Sequence, residues 1–309
     1  KDMVLLSSIA ILRTNTELIN PIFFQYSLRN PVKKKEMENY VSGAAIPRIV
    51  LNDFKGMNIK TPPLKTQKRI ADILSAHDDL IENNLKRIKL LEQAAQNIYK
   101  EWFVHLRFPE HENAVIKKET GLPAGWEKSP FSDVADFING YAFKPRHHSK
   151  KGLPIIKIKE LKNGVKEDTP RNSGEDVPNK YHFGDNTILF SWSASLDVYW
   201  WYGGASLLNQ HLFKVLPNSE LNKWHFFYGL KGAVEEFRSR ANGATMQHIK
   251  KGELKTVYYT KPTMDIALNF QDKIEPILKQ VLVLNKQKDK LKAARDILLP
   301  RLMNRTIGV

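Results

Sequence analysis

The sequence predicts a mixed α/β (α+β) protein, with sheet-containing heads carried on two long helices that pair as an antiparallel coiled coil. Three observations lead there. The same stretch of text appears twice, about 200 residues apart. Each copy runs into a long heptad pattern. The residues between the copies break into short apolar, β-branched runs bounded by Gly, Asn and Pro.

The duplication is carried by SGAAIPRIVLNDF at 42–54 and NGATMQHIKKGEL at 242–254. Gly43, Ala44 and Ile49 match Gly243, Ala244 and Ile249. Just upstream, Asn20, Tyr26 and Leu28 match Asn222, Tyr228 and Leu230 at an offset of 202, and Pro62 matches Pro262 downstream. A period this long marks one duplicated globular-plus-helix unit, where a solenoid would repeat every few tens of residues.

Residues 66–103 form the first helix. Apolar residues recur at alternating steps of four and three: Ile70, Leu74, Ile81, Ile88, Leu91, Ala95, Ile98 and Trp102, with His77 and Asn84 as polar members. This is the seam of a coiled coil. Thr61-Pro62-Pro63 signals its start and Pro109 follows its end. Such a helix is roughly 55–60 Å long at 1.5 Å per residue. The second helix, about 265–305, repeats the seam through Phe270, Ile274, Ile277, Val281, Leu284, Leu291, Leu298 and Leu302, with Lys288 and Arg295 as polar members. Pro276 is expected to kink or restart this helix, and Pro300 to loosen its last turn.

The polar members give the direction of pairing. If Ile70 faces Leu302, facing numbers sum to 372, so His77 meets Arg295 and Asn84 meets Lys288. A parallel pairing in equal register would bury Lys288 against Ile88 and Arg295 against Ala95. Unpaired buried charge costs several kcal/mol, so the antiparallel register wins. Asp78, Asp79 and Glu82 are close enough in sequence to help compensate the cations.

Between the helices, residues 126–262 read as a mixed α/β domain. Leu153–Ile158, Thr187–Trp192 and Leu212–Leu216 look like strands, and Trp224–Arg240 has helical spacing. Residues 106–125 read as a connector. The division is therefore 1–63 for an incomplete first head, 64–104 for the first helix, 105–125 for the connector, 126–262 for a complete second head, and 263–309 for the second helix and tail. Nothing in 1–63 corresponds to 126–202, so the first head is expected to lack roughly its first half.

Composition narrows the function. With 48 Lys+Arg against 33 Asp+Glu the chain carries +15. By segment the balance is +4 for 1–63, +1 for 64–104, 0 for 105–125, +6 for 126–262 and +4 for 263–309. A surplus spread this way favours a polyanionic partner, nucleic acid above all. There are no cysteines, which excludes disulfides and thiolate metal sites. No run of about 18 apolar residues occurs, so no membrane span is expected and the chain is placed inside the cell.

No catalytic motif stands out: the chain has no GxxxxGK[ST], HExxH or GxSxG. His147-His148 lies in a Lys/Arg-rich loop without carboxylates at ligand spacing and reads as a solvated loop. Glu160-Leu161-Lys162 and Glu253-Leu254-Lys255 each fit half of a nuclease-type Glu-x-Lys pattern, a cheap match. Several clusters do suit nucleic acid. Asn139-Gly140-Tyr141-Ala142-Phe143-Lys144 is a glycine-hinged loop with two aromatics and a cation, and Lys157, Lys159 and Lys162 follow on a strand and its exit. Ser191 to Ser195, with Ser193 at its centre, offers small hydroxyls for phosphates. Asn209-Gln210-His211 groups three hydrogen-bonding side chains. Residues 243–251 join a permissive glycine to Thr245, Gln247, His248, Lys250 and Lys251. Gln and Asn can read adenine bidentately, while Lys and hydroxyls suit phosphates.

The chain resembles the specificity subunit of Type I restriction-modification enzymes. The resemblance rests on PPLKTQKRIADILSAHDDLIENN, the YKEWF closing the first helix, GLPAGWE at 121–127, NGYAFK at 139–144, LNQHLFKV at 208–215, GATMQHI at 243–249 and the terminal LLPRLMNRTI. It implies target-recognition domains that each read half of a split double-stranded DNA site, held by an antiparallel helical pair. It implies docking of methyltransferase (modification) subunits and then a restriction/translocase subunit. Catalysis, S-adenosylmethionine, ATP and Mg would belong to those partners, with no cofactor on this chain. The loops at 139–144, 191–195, 209–211 and 243–251 would face DNA. In the first unit Arg48 would take the place of His248, and Ala45 that of Thr245. An incomplete first domain opens the possibility of self-association. A coiled-coil adaptor with no DNA reading, and a self-contained nuclease, stand as the competing classes.

Overall fold

The computed structural model describes residues 9–43, 47–193, 195–240 and 251–308. In chain order the elements are α1 (Pro21–Arg29), α2 (Pro31–Glu38), β1 (Val41–Ser42), β2 (Arg48–Ile49), α3 (Leu51–Lys55) and α4 (Leu64–Tyr99). Next come β3 (Glu127–Pro130), α5 (Phe131–Val134), β4 (Ala135–Asn139), β5 (Leu153–Ile156), α6 (Ile158–Asn163), β6 (Arg171–Asn172) and β7 (His182–Phe183). Then follow β8 (Thr187–Ser191), β9 (Asp197–Trp201), β10 (Ser206–Leu208), β11 (Leu212–Pro217), α7 (Lys223–Gly232), α8 (Val234–Arg240), β12 (Tyr258–Lys261) and α9 (Met264–Met303). Two compact units result, residues 1–90 with 280–309, and residues 91–279.

In the first unit, the early turns of α4 pack against the late turns of α9. Ile70, Ala71 and Leu74 share a buried cluster with Leu299 and Leu302, and α1 closes it with Phe23 and Tyr26. Further along α4, Asp78 meets Arg295, so residue numbers rise on one helix as they fall on the other. That order makes the pairing antiparallel. Arg295 finds its partner in Asp78, one residue past His77, whose ring instead binds the Ile73 carbonyl of its own helix at 2.8 Å. Asn84 is buried on α4, and Lys288 donates to the buried Asn285 at 2.9 Å. Polar groups are thus gathered where burying an unpaired cation would be costly.

The second unit contains two four-stranded sheets, ordered β6-β5-β10-β7 and β4-β11-β8-β9, and the pair β12-β3. β4, β8 and β9 are antiparallel to their neighbours, while β10 runs parallel to β5. Alternation along β11 turns Phe213 and Val215 to one buried cluster and leaves Lys214 half-buried on the other face. That cluster also holds Phe131, Phe190, Phe226 and Phe237, and the ends of both long helices join it through Ala95, Tyr99, Trp102, Phe103, Phe270 and Ile274. The connector 106–125 is folded as well: Phe108 and Leu122 are buried, and Ile116 bridges Pro123.

Two details depart from the sequence expectations. α9 runs through Pro276 and to Met303 without restarting. Proline removes one donor, and the exposed Pro276 sits on a turn whose inner residues Ile274 and Leu278 are buried, which holds the helix together. β5 ends at Ile156, so Lys157 precedes α6 and Lys159 and Lys162 lie on that helix rather than on a strand and its exit. Glu160 starts the helix by accepting the Lys157 amide at 3.1 Å.

The duplication reappears inside each unit as the same local device. Asn20 caps α1 by accepting from the amides of Ile22 and Phe23, and Asn222 caps α7 by accepting from Trp224 and His225. Each cap is held by a glutamine of the neighbouring long helix: Gln67 accepts from the Asn20 amide at 2.8 Å, and Gln271 accepts from Asn222 Nδ2 at 2.7 Å.

Candidate nucleic-acid interface

The site begins with a close approach of two backbones. β4 and β11 lie side by side, so the chain leaving β4 runs next to the turn between β10 and β11. Tyr141 donates its amide to the Leu208 carbonyl at 2.8 Å, and Gln210 donates to the Tyr141 carbonyl at 3.0 Å. A Cβ on Gly140 would stand 2.1 Å from the Asn209 carbonyl oxygen. Only glycine permits this contact. It joins the loop 139–144 to the turn 209–211.

The turn after β8 joins the same place. Trp192 Nε1 donates to Asn139 Oδ1 at 3.2 Å, and its ring lies 6.0 Å from that of His211. Ser193 Oγ is 3.2 Å from His211 Nδ1, while Gln210 Nε2 is 3.3 Å from His211 Nε2. Both ring nitrogens of His211 are thus engaged, one by the Ser193 hydroxyl and the other by the Gln210 amide. Ser191 is buried, with its hydroxyl donated to the Ser195 carbonyl. Asn139 with Trp192, and Ser193 with His211 and Gln210, therefore form two bonded groups that meet where the Trp192 and His211 rings approach, contributed by three loops.

The remaining predicted residues fall into distinct environments. Asn209 is 4% exposed and its Oδ1 faces the His211 amide at 3.4 Å, so it shapes the turn. Tyr141 and Phe143 are half-buried in an edge-to-face pair with centroids 4.9 Å apart, against Tyr181 and His147. Lys144 is exposed and Lys157 half-buried. Lys159 is tied to Asp168 at 2.6 Å, which holds the lysine above and the carboxyl below their ordinary ranges, the hydrogen bond contributing most. Lys251 is exposed at the start of the turn Lys251–Lys255. Arg48 is exposed on β2 of the first unit, in register with Ser42. Thr245, Gln247, His248 and Lys250 lie outside the described residues. Sequence reasoning missed the Trp192–Asn139 bond and the Asp168 partner, since neither leaves a spacing signal.

Among the described residues, no group of three or more His, Cys, Asp or Glu side chains is placed to hold a metal ion. No helix there is long and apolar enough to cross a membrane. Loops of mixed amide, imidazole, aromatic and cationic character are thus gathered at the ends of strands.

The family model of the Type I restriction modification DNA specificity domain matches residues 2–93 and 123–293. The chain belongs to this family, and it is a DNA-target-recognition specificity subunit. It is 25% identical over 302 residues to the Type I restriction enzyme MjaIX specificity subunit of Methanocaldococcus jannaschii, covering 91% of this chain and 68% of that protein. It is 22% identical over 324 residues to the HindI specificity subunit of Haemophilus influenzae, covering 84% and 71%. Its fold is similar to that of the S subunit of a Type I system from M. genitalium, with a TM-score of 0.56 at 16% identity over 92% of this chain and 73% of that one.

Proposed function

We propose that residues 126–262 are a complete DNA reader whose contact face is the cluster joining 139–144, 191–195 and 209–211. The observation that carries this is the bonding of Asn139 to Trp192 and of Ser193 to His211, which unites loops far apart in sequence at one place. Gln210 keeps its side-chain carbonyl and a second amide hydrogen for base edges while His211 holds it in place, and Lys144 and Lys251 suit phosphates. On this reading the chain supplies recognition and no catalysis. Methyltransferase subunits would bring S-adenosylmethionine, and a restriction subunit would bring ATP and Mg. Residues 1–63 would be the later part of a first reader, a view supported by the matching Asn caps and glutamine partners at Asn20–Gln67 and Asn222–Gln271.

The test is selection of duplexes from a randomised pool by the full chain together with a methyltransferase partner, followed by mapping of the methylated adenines. A split target is expected, and Gln210→Ala should relax the preference at one half of it by about 1–3 kcal/mol per base pair. Recovery of duplexes with no common sequence would refute the reading, as would a Q210A preference identical to that of the wild type.

A further inference from the structure

Beside the reading cluster lies a second feature of different chemistry. Residues 144–151, KPRHHSKK, contain no carboxylate, and Lys144, Arg146, His148, Lys150 and Lys151 are all exposed. None of these five is in an ion pair among the described residues, in contrast to Lys159 with its Asp168. Lys157 approaches the same group, since its charge opposes protonation of His148 after burial, the larger effect.

A run of cations is ordinarily a solvated, loosely held stretch. This one is fastened along its length. The His147 ring accepts from the Lys144 amide at 3.1 Å and packs on Tyr141, with centroids 5.8 Å apart. Asn172 Nδ2 donates to the His147 carbonyl at 2.8 Å, and the Ser149 amide to the Arg171 carbonyl at 2.7 Å. Arg171 Nη1 then donates to the Gly152 carbonyl at 3.0 Å. Gly152 itself has φ of +104°, and a Cβ there would stand 2.2 Å from the Asn172 carbonyl oxygen. The loop is thus stitched to β6 and to the aromatic pair of the reading loop. Holding like charges together in this way costs repulsion unless an anion is bound.

We infer that residues 144–151 are a preorganised grip for the DNA phosphate backbone, supplying sequence-independent affinity next to the base-reading cluster. The inference rests on the DNA-reading role of this unit and adds a division of labour: Arg146, Lys150 and Lys151 position the duplex, while Gln210, held by His211, reads it. Fixing the cations in advance lowers the ordering cost when phosphates displace their counterions.

The experiment measures affinity of the full chain over a salt series, for a duplex it selects from a random pool and for a scrambled duplex. It compares wild type with the triple variant R146A/K150A/K151A. The triple variant should weaken binding to both duplexes by a similar factor, roughly tenfold or more, and reduce the slope of log affinity against log salt by about 2–3. The ratio between the two duplexes should stay unchanged. The charge-preserving variant R146K/K150R/K151R should retain most of the slope, and unchanged melting of both variants shows that the fold is intact. An unaltered slope in the triple variant overturns the grip, as does a loss confined to the selected duplex. Failure of the wild type to bind either duplex overturns the DNA reading and the grip together.

Discussion

Arg295 of α9 and Asp78 of α4 are joined by a charge-assisted hydrogen bond at a polar layer of the helical seam, and Tyr26 of α1 donates to the same carboxylate at 2.6 Å. Arg29 adds a second cation at 3.1 Å. One carboxylate therefore locks three helices of the first unit.

Removing that carboxylate should loosen the unit. Burial pushes the Asp78 pKa up, but the Tyr26 hydroxyl, Arg295 and Arg29 together outweigh it and hold the group below the usual carboxylate range. A lowered folded pKa contributes stability that is present above the unfolded value, about 3.9, and is lost as pH falls through the folded one. Asp78→Asn should cost about 1–2 kcal/mol at pH 7, since the pair is partly solvated. The gap between variant and wild type in chemical denaturation should close below about pH 4. An equal gap at pH 7 and at pH 3 would show that the charge contributes nothing.

The antiparallel order can be read by cross-linking. The chain has no native cysteine, so a pair at Ile81 and Leu291, which sum to 372, reports without background. Both are half-buried seam residues of the first unit. Ile81→Cys with Leu291→Cys should form an intramolecular disulfide on mild oxidation, seen as a mobility shift reversed by reductant. A control pair at positions 81 and 284 should not.

Gly140→Ala should separate the two loops it now brings together. The added methyl would collide with backbone at Asn209, which cannot swing aside as a flexible side chain can. A cost of about 1–3 kcal/mol is expected, with loss of sequence preference exceeding the loss of non-specific binding. A variant that binds and melts like the wild type would remove the close approach from the account.

His225 predicts a pH effect in the second unit. It is fully buried among Tyr99, Phe103, Tyr259 and Phe270, with Nδ1 2.6 Å from the Tyr259 hydroxyl, and burial pushes its pKa down to about 3. The unfolded imidazole takes up a proton near pH 6.5 and the folded one cannot, so stability falls as pH drops below about 6.5. At the matching place in the first unit, 202 residues earlier, stands Phe23. The double variant H225F/Y259F, which leaves no orphan hydroxyl, should therefore lose less stability than wild type between pH 7 and pH 5. Parallel pH profiles for the two would count against this.

Much of this architecture was legible in the sequence because it is periodic. The seams through Ile70, Leu74, Phe270 and Ile274 repeat at helical spacing, and runs such as Thr187–Trp192 carry strand chemistry within a residue of the observed ends. What escaped depends on residues meeting from afar. Nothing local to Asn209 says that it is buried, or that Gly140 will press on its carbonyl. Ile158–Asn163 became a helix because Glu160 caps it, a choice that propensity leaves open. Pro276 was tolerated because packing around Ile274 and Leu278 outweighs one lost hydrogen bond.

The division of the chain into 91–279 and 1–90 with 280–309 also sets an order of events during synthesis. Residues 91–279 are one uninterrupted stretch, and all their partners have left the ribosome once residue 279 has. The unit of 1–90 with 280–309 must wait, because Ile70 and Leu74 bury themselves against Leu299 and Leu302, which are translated more than 200 residues later. Long-range closure of this kind is slow and leaves apolar surface uncovered meanwhile. The nascent chain thus carries one folded unit before Ile70 and Leu74 find shelter, and premature termination near residue 290 would release a molecule with one unit folded and the other sticky.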